Sequence, residues 1–205
     1  MNKTVPLLAI VVVCLAVLFF VRGSNQGKYQ SAEPPAQEAL AQWKVHEDPS
    51  HQYEVSFPTP PRAASNNALD PKSKQLKIYK LQVSEALDAT LFMVTQIQFP
   101  PDYNPSQDPT ILEDTVKDLV ANAPTNTLKD IQQMAFNGDE AVKFTIESAD
   151  RIVIHGVAFV HNKSIYILSR VSKEDRVNLG EFDHFLKSFK FKDAAQGVSV
   201  PQSNQ

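Results

Sequence analysis

Residues 127–171 read TLKDIQQMAFNGDEAVKFTIESADRIVIHGVAFVHNKSIYILSRV, and this stretch decides the fold. Asn137-Gly138 lies between two extended runs, and both residues tolerate the positive φ of a tight hairpin turn. His-Asn-Lys-Ser at 161–164 marks a second turn. The stretch therefore predicts four consecutive strands joined as antiparallel neighbours, over residues 127–136, 140–147, 151–161 and 165–171.

The third of these strands, residues 151–161, is apolar on both faces. Side chains alternate between the two faces of a strand, so each face is defined by every second residue. One face carries Ile152, Ile154, Ala158 and Val160, and the other carries Val153, Val157 and Phe159. A strand of this kind is buried on both sides. The sequence therefore predicts that the sheet is covered on both faces.

Two amphipathic helices are predicted to pack on the sheet. In the last one, apolar residues recur at i, i+3, i+4 and i+7, and Asn178 marks its start. These residues are Phe182, Phe185, Leu186 and Phe189. The first helix begins either at Asp108-Pro109 or at a capping box of Thr110 and Glu113. Its apolar stripe comprises Leu112, Val116, Leu119, Val120 and Ala123.

Before the first helix, the sequence predicts strands separated by a loop. Residues 53–57 alternate apolar and polar side chains, and the prolines at 58, 60 and 61 end that strand. Residues 76–84 and 90–99 are predicted to be two further strands, and the polar stretch 62–73 is predicted to be a loop. This order of elements is typical of an α+β domain with a mostly antiparallel sheet and packed helices.

The chain begins with an uncharged apolar run. Residues 5–21 read VPLLAIVVVCLAVLFFV, which is 17 residues without a charge. As a helix this run spans roughly 25 Å, at the short end of the range that crosses a hydrocarbon core about 30 Å thick. We expect an uncleaved transmembrane helix within residues 1–22, followed by a flexible linker over residues 23–42.

Two alternatives to a permanent anchor are open. A cleaved secretory signal has small residues before its cleavage site, whereas this run ends at Arg22. A lipoprotein signal has a small residue before the modified cysteine, whereas Cys14 follows three valines. We expect a cytoplasmic N-terminus and an extracytoplasmic domain, on the periplasmic side if the cell is Gram-negative. A short tail before a long exported domain is the commoner arrangement.

The composition argues against two classes of partner or cofactor. The chain has 20 Lys and Arg against 23 Asp and Glu, with the signs interspersed. Nucleic-acid binding requires clustered cations, so we expect no nucleic-acid partner. Cys14 is the only cysteine, so the domain over residues 43–192 has no disulfide and no cysteine metal site. Residues 193–205 are predicted to be a disordered tail.

The sequence contains no recognised catalytic motif. It lacks a Gly-x-Ser-x-Gly elbow, a phosphate-binding glycine loop and a His-Glu-x-x-His motif. The polar cluster from His46 to His51 has metal-ligand residue types, but a solvated turn explains it better. His155 and His161 are interpreted as sheet histidines. We expect no catalytic residue, metal or cofactor, with a hydrolase assembled only in the fold as an alternative.

Four motifs resemble the PsbP/Mog1-like domain superfamily. They are YEVSFPTPPR at 53–62, NGDEAVKFTI at 137–146, VHNKSIYILSRV at 160–171 and FDHFLKSFKF at 182–191. The resemblance spans residues 43–192 and implies the α/β sandwich of a bacterial membrane-anchored member. The superfamily includes photosystem-associated extrinsic subunits and a small-GTPase partner. The resemblance therefore implies an accessory or binding module, and it transfers no active-site residue.

Three hypotheses for the function follow. The first is a membrane-tethered, noncatalytic interaction or accessory module of a cell-envelope complex, with a protein partner. The second is a carrier or sensor of a small apolar ligand, and the third is an enzyme of unrecognised type. For the first, the contact loop is FPPDYNPSQDP at 99–109, with Pro101, Tyr103 and Pro105 as binding residues. Prolines restrict the loop, and tyrosine offers a large contact surface.

The uncleaved anchor predicts the mass of the mature protein. Because the run is long and Arg22 is a poor cleavage context, the membrane-extracted protein should extend from Met1 or Asn2 to Gln205. Intact-mass measurement checks this. A mature form that begins near Ser24 would show that the segment is a cleaved signal.

Overall fold

The computed structural model describes residues 40–69, 76–121, 123–148 and 150–192. The predicted anchor, residues 23–39 of the predicted linker and the predicted tail lie outside these ranges. Within the described ranges, no helix is long and apolar enough to cross a membrane.

The described residues form ten strands and two α-helices. The strands are β1 (Lys44–Glu47), β2 (Tyr53–Phe57), β3 (Arg62–Leu69), β4 (Leu76–Glu85), β5 (Leu91–Gln98), β6 (Thr127–Phe136), β7 (Asp139–Glu147), β8 (Ile152–His161), β9 (Ser164–Lys173) and β10 (Lys190–Phe191). The helices are α1 (Ile111–Ala121) and α2 (Leu179–Ser188). Short 3-10 turns, Pro105–Gln107 and Glu174–Arg176, precede the two helices.

Seven strands form one antiparallel sheet in the order β3-β4-β5-β9-β8-β7-β6. Strands β3 to β5 form one meander, and β6 to β9 form the four-strand meander predicted from the Asn137-Gly138 turn. The two meanders meet where β5 pairs with β9, from Leu91 opposite Val171 to Gln98 opposite Ser164. The predicted mostly antiparallel sheet with packed helices is therefore confirmed.

A smaller antiparallel sheet, in the order β1-β2-β10, forms a second layer. The turn between β1 and β2 is closed by Asp48, whose carboxylate accepts a hydrogen bond from the Ser50 N–H at 2.9 Å. At the other end of the domain sequence, β10 pairs with Tyr53 and Glu54 of β2. The last strand thus closes onto the first hairpin of the domain.

Strand β3 lies in the stretch that was predicted to be a loop, and that prediction was wrong. All eight of its residues pair in register with β4, from Arg62 opposite Val83 to Leu69 opposite Leu76. Residues 63–68 read AASNNA and are mostly exposed, so no apolar alternation reveals the strand. Main-chain hydrogen bonds to β4, which are independent of side-chain pattern, define this edge strand.

Helix α1 begins directly after Thr110, which agrees with the second start predicted from the sequence and not with a start at Asp108-Pro109. The Asp108 carboxylate accepts hydrogen bonds from both the N–H and the hydroxyl of Thr110, at 3.0 and 2.9 Å. This local turn holds Thr110 outside the helix, which begins at Ile111. Helix α2 follows the prediction, because Asn178 caps it by accepting from the N–H groups of Gly180 and Glu181.

An aromatic core fills the space between α2 and one face of the large sheet. Phe182, Phe185 and Phe189 are at most 1% exposed. The Phe185 ring centroid lies 5.4 Å from those of both Phe57 and Phe92, so it contacts the small sheet and the large sheet together. The prediction that this helix carries core residues is confirmed. Each buried ring removes roughly 150–250 Å² from water.

Helix α1 covers the opposite face over β6, β7 and β8. Leu112 and Val116 of α1 belong to a buried cluster with Phe144 of β7 and Ala158 of β8. Gly156 lies directly against the Phe144 ring, because a Cβ atom at residue 156 would meet Cζ at 2.1 Å. Strand β8 is therefore buried on both faces, as its sequence predicts.

The two ends of the large sheet differ. We call one end of the large sheet the cleft end. There, Gln98 lies between Ile78 and Ser164, close to the turn that follows β8. We call the other end the hairpin end, after the β4–β5 hairpin. There, Leu91 lies between Glu85 and Val171, beside the β4–β5 turn. The connection from β9 to α2 also leaves from the hairpin end.

The aromatic core makes a prediction about stability. Phe185→Ala should lower the free energy of unfolding of the chain from Trp43 to Lys192 by about 3–5 kcal/mol, because it removes a fully buried ring. Denaturant titration measures the loss. Leu179→Ala is the matched control in the same helix, where the side chain is 49% exposed and a much smaller loss is expected. A loss below about 0.5 kcal/mol for Phe185→Ala would contradict this packing.

Candidate functional site

An open cleft of about 970 Å³ lies at the cleft end. Its walls come from the β1–β2 turn, the start of β4, the loop after β5 and the β8–β9 turn. The lining comprises residues 50–52, Leu76, Ile78, residues 98–102, residues 161–164, Tyr166, Phe191 and Lys192. The volume is large enough for a small molecule or for a short stretch of a protein chain. This cleft is the candidate site.

The floor of the cleft is formed by Gln52 and Tyr166, which share hydrogen bonds with Gln96 buried beneath them. Gln96 of β5 and Tyr166 of β9 are directly opposite in the sheet register. The Gln96 Nε2 atom donates to the Tyr166 hydroxyl at 2.8 Å and to Gln52 Oε1 at 2.7 Å. The Tyr166 hydroxyl also donates to Gln52 Oε1 at 3.2 Å. These bonds tie the β1–β2 turn to the large sheet and fix the depth of the cleft.

Two of the buried groups in this floor are electrostatically unusual. Burial raises the pKa of Tyr166 to about 12, and the negative charge of Asp48 acts in the same direction. The phenol is therefore neutral at physiological pH and serves as a hydrogen-bond donor and acceptor. Gln96 is 1% exposed, and its Oε1 atom has no hydrogen-bond partner among the described residues.

Cations on the rim hold neighbouring segments together. The Lys163 ammonium donates to the carbonyl of Pro101 at 3.1 Å and so links the β8–β9 turn to the loop after β5. The Lys192 ammonium donates to the Glu47 carboxylate at 2.6 Å, and His51 Nδ1 lies 2.6 Å from the same oxygen. The bond from Lys192, followed by that from His51, lowers the pKa of Glu47. Hydrogen bonds therefore join the neighbouring segments of the rim in the absence of a ligand.

His161 forms part of the aromatic wall of the cleft. Its ring stacks on Phe191, with centroids 3.6 Å apart and planes 14° apart. His161 Nδ1 lies 2.8 Å from the Asp139 carboxylate, which orients the ring. A histidine held by a carboxylate can serve as a general base, but the described hydrogen bonds do not join it to a serine or threonine hydroxyl. The contacts of His161 with Phe191 and Asp139 therefore indicate a structural role in the wall of the cleft.

The three binding residues predicted from the sequence occupy different positions in the loop. Pro101 lines the cleft. Tyr103 lies behind that wall, with its ring centroid 4.9 Å from that of Phe99, which does line the cleft. Pro105 is buried at the start of the 3-10 turn. The structure thus places one predicted residue in the site and two in its support, and their role in binding stays a prediction.

The polar turn at residues 46–51 is divided by the fold. His46 stands beside Phe57 with a ring-centroid distance of 6.1 Å, and Asp48 is 3% exposed. His51, in contrast, is exposed and lines the cleft. Among the described residues, no group of three or more His, Cys, Asp or Glu side chains is placed to hold a metal ion.

A second polar cluster lies beneath the start of α2. The buried Arg170 donates to the Arg176 carbonyl at 2.5 Å and to Ser172 Oγ at 2.6 Å, and it lies 3.4 Å from the Glu181 carboxylate. Burial lowers the pKa of Arg170 and raises that of Glu181, while their mutual attraction opposes both shifts. Because these contacts join β9 to α2 and the connection between them, we interpret the cluster as structural.

Sequence reasoning missed the floor residues Gln52, Gln96 and Tyr166. One signal was available in β5, where Gln96 follows Phe92 and Val94 at alternate positions on a face that is otherwise apolar. A glutamine there needs a polar partner, because burying an amide without one is costly. Its partners are 44 and 70 residues away, so their identity depends on the fold.

Comparison with solved structures gives distant likenesses. The chain is similar to cyanobacterial PsbP from Synechocystis sp. PCC 6803, with a TM-score of 0.47 and 14% identity over 83% of this chain and 98% of that one. It is also similar to a Pseudomonas aeruginosa protein of unknown function, with a TM-score of 0.35 and 12% identity over 69% of this chain and 88% of that one. No protein-family model and no curated protein matches the chain. These likenesses assign no ligand or activity to the chain.

The floor of the cleft makes a prediction about coupling. Tyr166→Phe should lower the free energy of unfolding by about 1–2 kcal/mol, because Gln96 and Gln52 lose a buried hydrogen-bond partner. In a Gln96→Leu background, the same change should cost less, because one of the two bonds is already absent. Denaturant titration of the four chains measures the coupling. Equal losses in both backgrounds would show that the hydroxyl is not bonded to Gln96.

Proposed function

We propose that the chain is a membrane-tethered, noncatalytic interaction module of a cell-envelope complex, and that the cleft binds its protein partner. One observation carries the proposal. The loop over residues 98–102 and the turn over residues 50–52 meet at one preformed cleft, although they are far apart in the chain. The first belongs to the contact loop predicted from the sequence, and the second to the polar turn.

The contact loop is held in shape before binding. The Tyr103 N–H donates to the Pro100 carbonyl at 3.0 Å, and the Tyr103 ring packs on Phe99. Asn104 caps the 3-10 turn by accepting from the Ser106 N–H at 3.2 Å. A loop restrained in this way loses little conformational entropy when a partner binds. This restraint supports a recognition surface.

The contacts in the cleft favour binding over hydrolysis. His161 is held between Asp139 and Phe191, and no described bond connects it to a nucleophilic hydroxyl. His51 is occupied by Glu47, which is also bonded to Lys192. The described histidines of the cleft therefore sit in contacts with carboxylates and in one ring stack, which stabilise its walls. An enzyme of unrecognised type is the less supported hypothesis.

The packing of the core weighs against a carrier of a small apolar ligand in the space between sheet and helices. That hypothesis needs room between α2 and the large sheet. Phe57, Phe92 and Phe185 meet there and are completely buried. The cleft itself is open and contains charged rims, whereas an apolar carrier encloses its ligand. These observations support the interaction module.

Anchoring, location and family are parts of the same proposal. The uncharged run at residues 5–21 supports a single membrane-spanning anchor with the domain on the extracytoplasmic side. The four motifs between residues 53 and 191 support membership of the PsbP/Mog1-like superfamily as a bacterial anchored member. The predicted accessory role agrees with a domain that offers an open cleft and a preformed contact loop.

Site-specific photo-crosslinking in intact cells tests the proposal. The photoreactive residue is placed at Ser50 or Asp102, on two walls of the cleft, and at Lys117 of α1 as the control away from it. The full-length tagged chain should yield the same cross-linked partner from both cleft positions and none from Lys117. Products from Lys117 alone, or no shared partner from the two walls, would place the interaction elsewhere.

Tyr103→Ala tests the loop separately. Loss of an aromatic anchor commonly costs at least about 2 kcal/mol, so partner capture should fall roughly thirtyfold. The melting midpoint should stay nearly unchanged, because Tyr103 is only partly buried and is not among the core residues. Unchanged capture would show that the loop is only a connector. A collapsed midpoint would place Tyr103 in the core.

A further inference from the structure

The hairpin end carries an exposed apolar patch. Leu87, at the tip of the β4–β5 turn, is 99% exposed. Val177 and Leu179, in the connection into α2, are 37% and 49% exposed. The two segments are neighbours, because the Arg176 guanidinium donates to the Asp88 carbonyl. We call Leu87, Val177 and Leu179 the tip patch.

The turn that presents Leu87 is closed by four hydrogen bonds. The Asp88 carboxylate accepts from the N–H of Thr90 at 3.0 Å and from its hydroxyl at 2.8 Å. The Ala86 N–H donates to the Thr90 carbonyl at 2.8 Å, and the Ala89 N–H donates to the Ala86 carbonyl at 3.0 Å. Leu87 is therefore held outward by a closed network. Together with Val177 and Leu179 on the neighbouring segment, Leu87 forms an exposed apolar patch, and such patches mark protein or membrane contacts.

The chain enters the domain at the same end. The centroid of the Trp43 ring lies 4.7 Å from that of Phe92. Phe92 is the second residue of β5, directly after the β4–β5 turn. Lys44, the first residue of β1, pairs with Phe57 of β2. Two residues after Phe57, the Thr59 N–H donates to the hydroxyl of Ser84, which lies near the β4–β5 turn. The described chain, which begins at residue 40, therefore enters the fold at the hairpin end, and the apolar run at 5–21 precedes it in the sequence. The cleft lies at the opposite end.

We propose that the tip patch rests on the bilayer that holds the N-terminal segment, with Leu87 inserted at the lipid interface and the cleft directed away from the membrane. This inference rests on the anchoring in the proposed function. A flexible chain as long as residues 22–39 would have an r.m.s. span of about 25 Å, so the tip patch stays within reach of the surface. At that distance the tether gives the bilayer a high effective concentration near the domain. A weak apolar contact is therefore enough to hold the tip patch on the membrane.

The charges around the tip patch define the kind of lipid. Glu85 and Asp88 lie on either side of Leu87 in the chain and Arg176 contacts the Asp88 carbonyl, so the patch carries both signs of charge and no cluster of cations for anionic head groups. The Asp88 carboxylate is already satisfied by Thr90, which lowers the cost of bringing this turn to the interface. The surface therefore fits zwitterionic lipid and is held by apolar contact, and salt should not release it.

Fluorescence quenching in vesicles tests the orientation. The full-length chain with Cys14→Ser is reconstituted in phosphatidylcholine vesicles that contain a nitroxide near the head group. A fluorophore is attached at Asp175→Cys, beside the tip patch, or at Ser50→Cys, at the cleft, as the matched control. Quenching at position 175 should be at least about threefold that at position 50, and should persist at about 0.5 M salt.

Leu87→Asp separates insertion from mere proximity. Because Leu87 is 99% exposed, the change should leave the melting midpoint intact while quenching at position 175 falls to the level at position 50. Equal quenching at the two positions in a chain that floats with the vesicles would overturn the orientation and leave the anchor in place. Quenching that survives Leu87→Asp, or that salt removes, would overturn apolar insertion. A chain that does not float with the vesicles would overturn both the orientation and the proposed anchoring.

Discussion

The pairing of β5 with β9 is the constraint on which the rest of the structure depends. Eight residue pairs, from Leu91–Val171 to Gln98–Ser164, join two meanders that α1 separates in the chain. A shift of one residue would turn every side chain to the opposite face. Phe92 and Val94 would then leave the aromatic core, and Gln96 would leave Tyr166. The same register therefore sets the core and the floor of the cleft.

The two layers on the aromatic side depend on that register in turn. Helix α2 brings Phe185 into contact with the large sheet and the small sheet together, so its packing couples the two. Arg170 is buried beneath the start of α2 and donates hydrogen bonds to Ser172, the Arg176 carbonyl and Glu181. A buried cation without such partners would be strongly destabilising. Aromatic packing holds the body of α2, and the polar cluster positions its beginning.

The two surfaces to which we assign proposed roles lie at the ends of the large sheet. At the cleft end, loops of different origin are cross-linked by the Lys163–Pro101 and Lys192–Glu47 contacts. At the hairpin end, a closed turn presents Leu87, beside the point where the chain enters. Under the proposed function, the hairpin end is the surface for the membrane and the cleft end is the surface for a partner. Antiparallel strands that run between the ends keep the two surfaces apart.

Local chemistry in the sequence determined the Asn137-Gly138 hairpin, the four strands around it, the two helical stripes and the burial of both faces of β8. Each depends on residues a few positions apart, whose spacing is visible along the chain. The pairing of β3 was not visible, because main-chain bonds to β4 hold a stretch of small, polar, mostly exposed side chains. The cleft was only half visible: Pro101 was foreseen, whereas Gln52, Gln96 and Tyr166 were not. Their meeting depends on strand order and register, which long-range pairing alone decides.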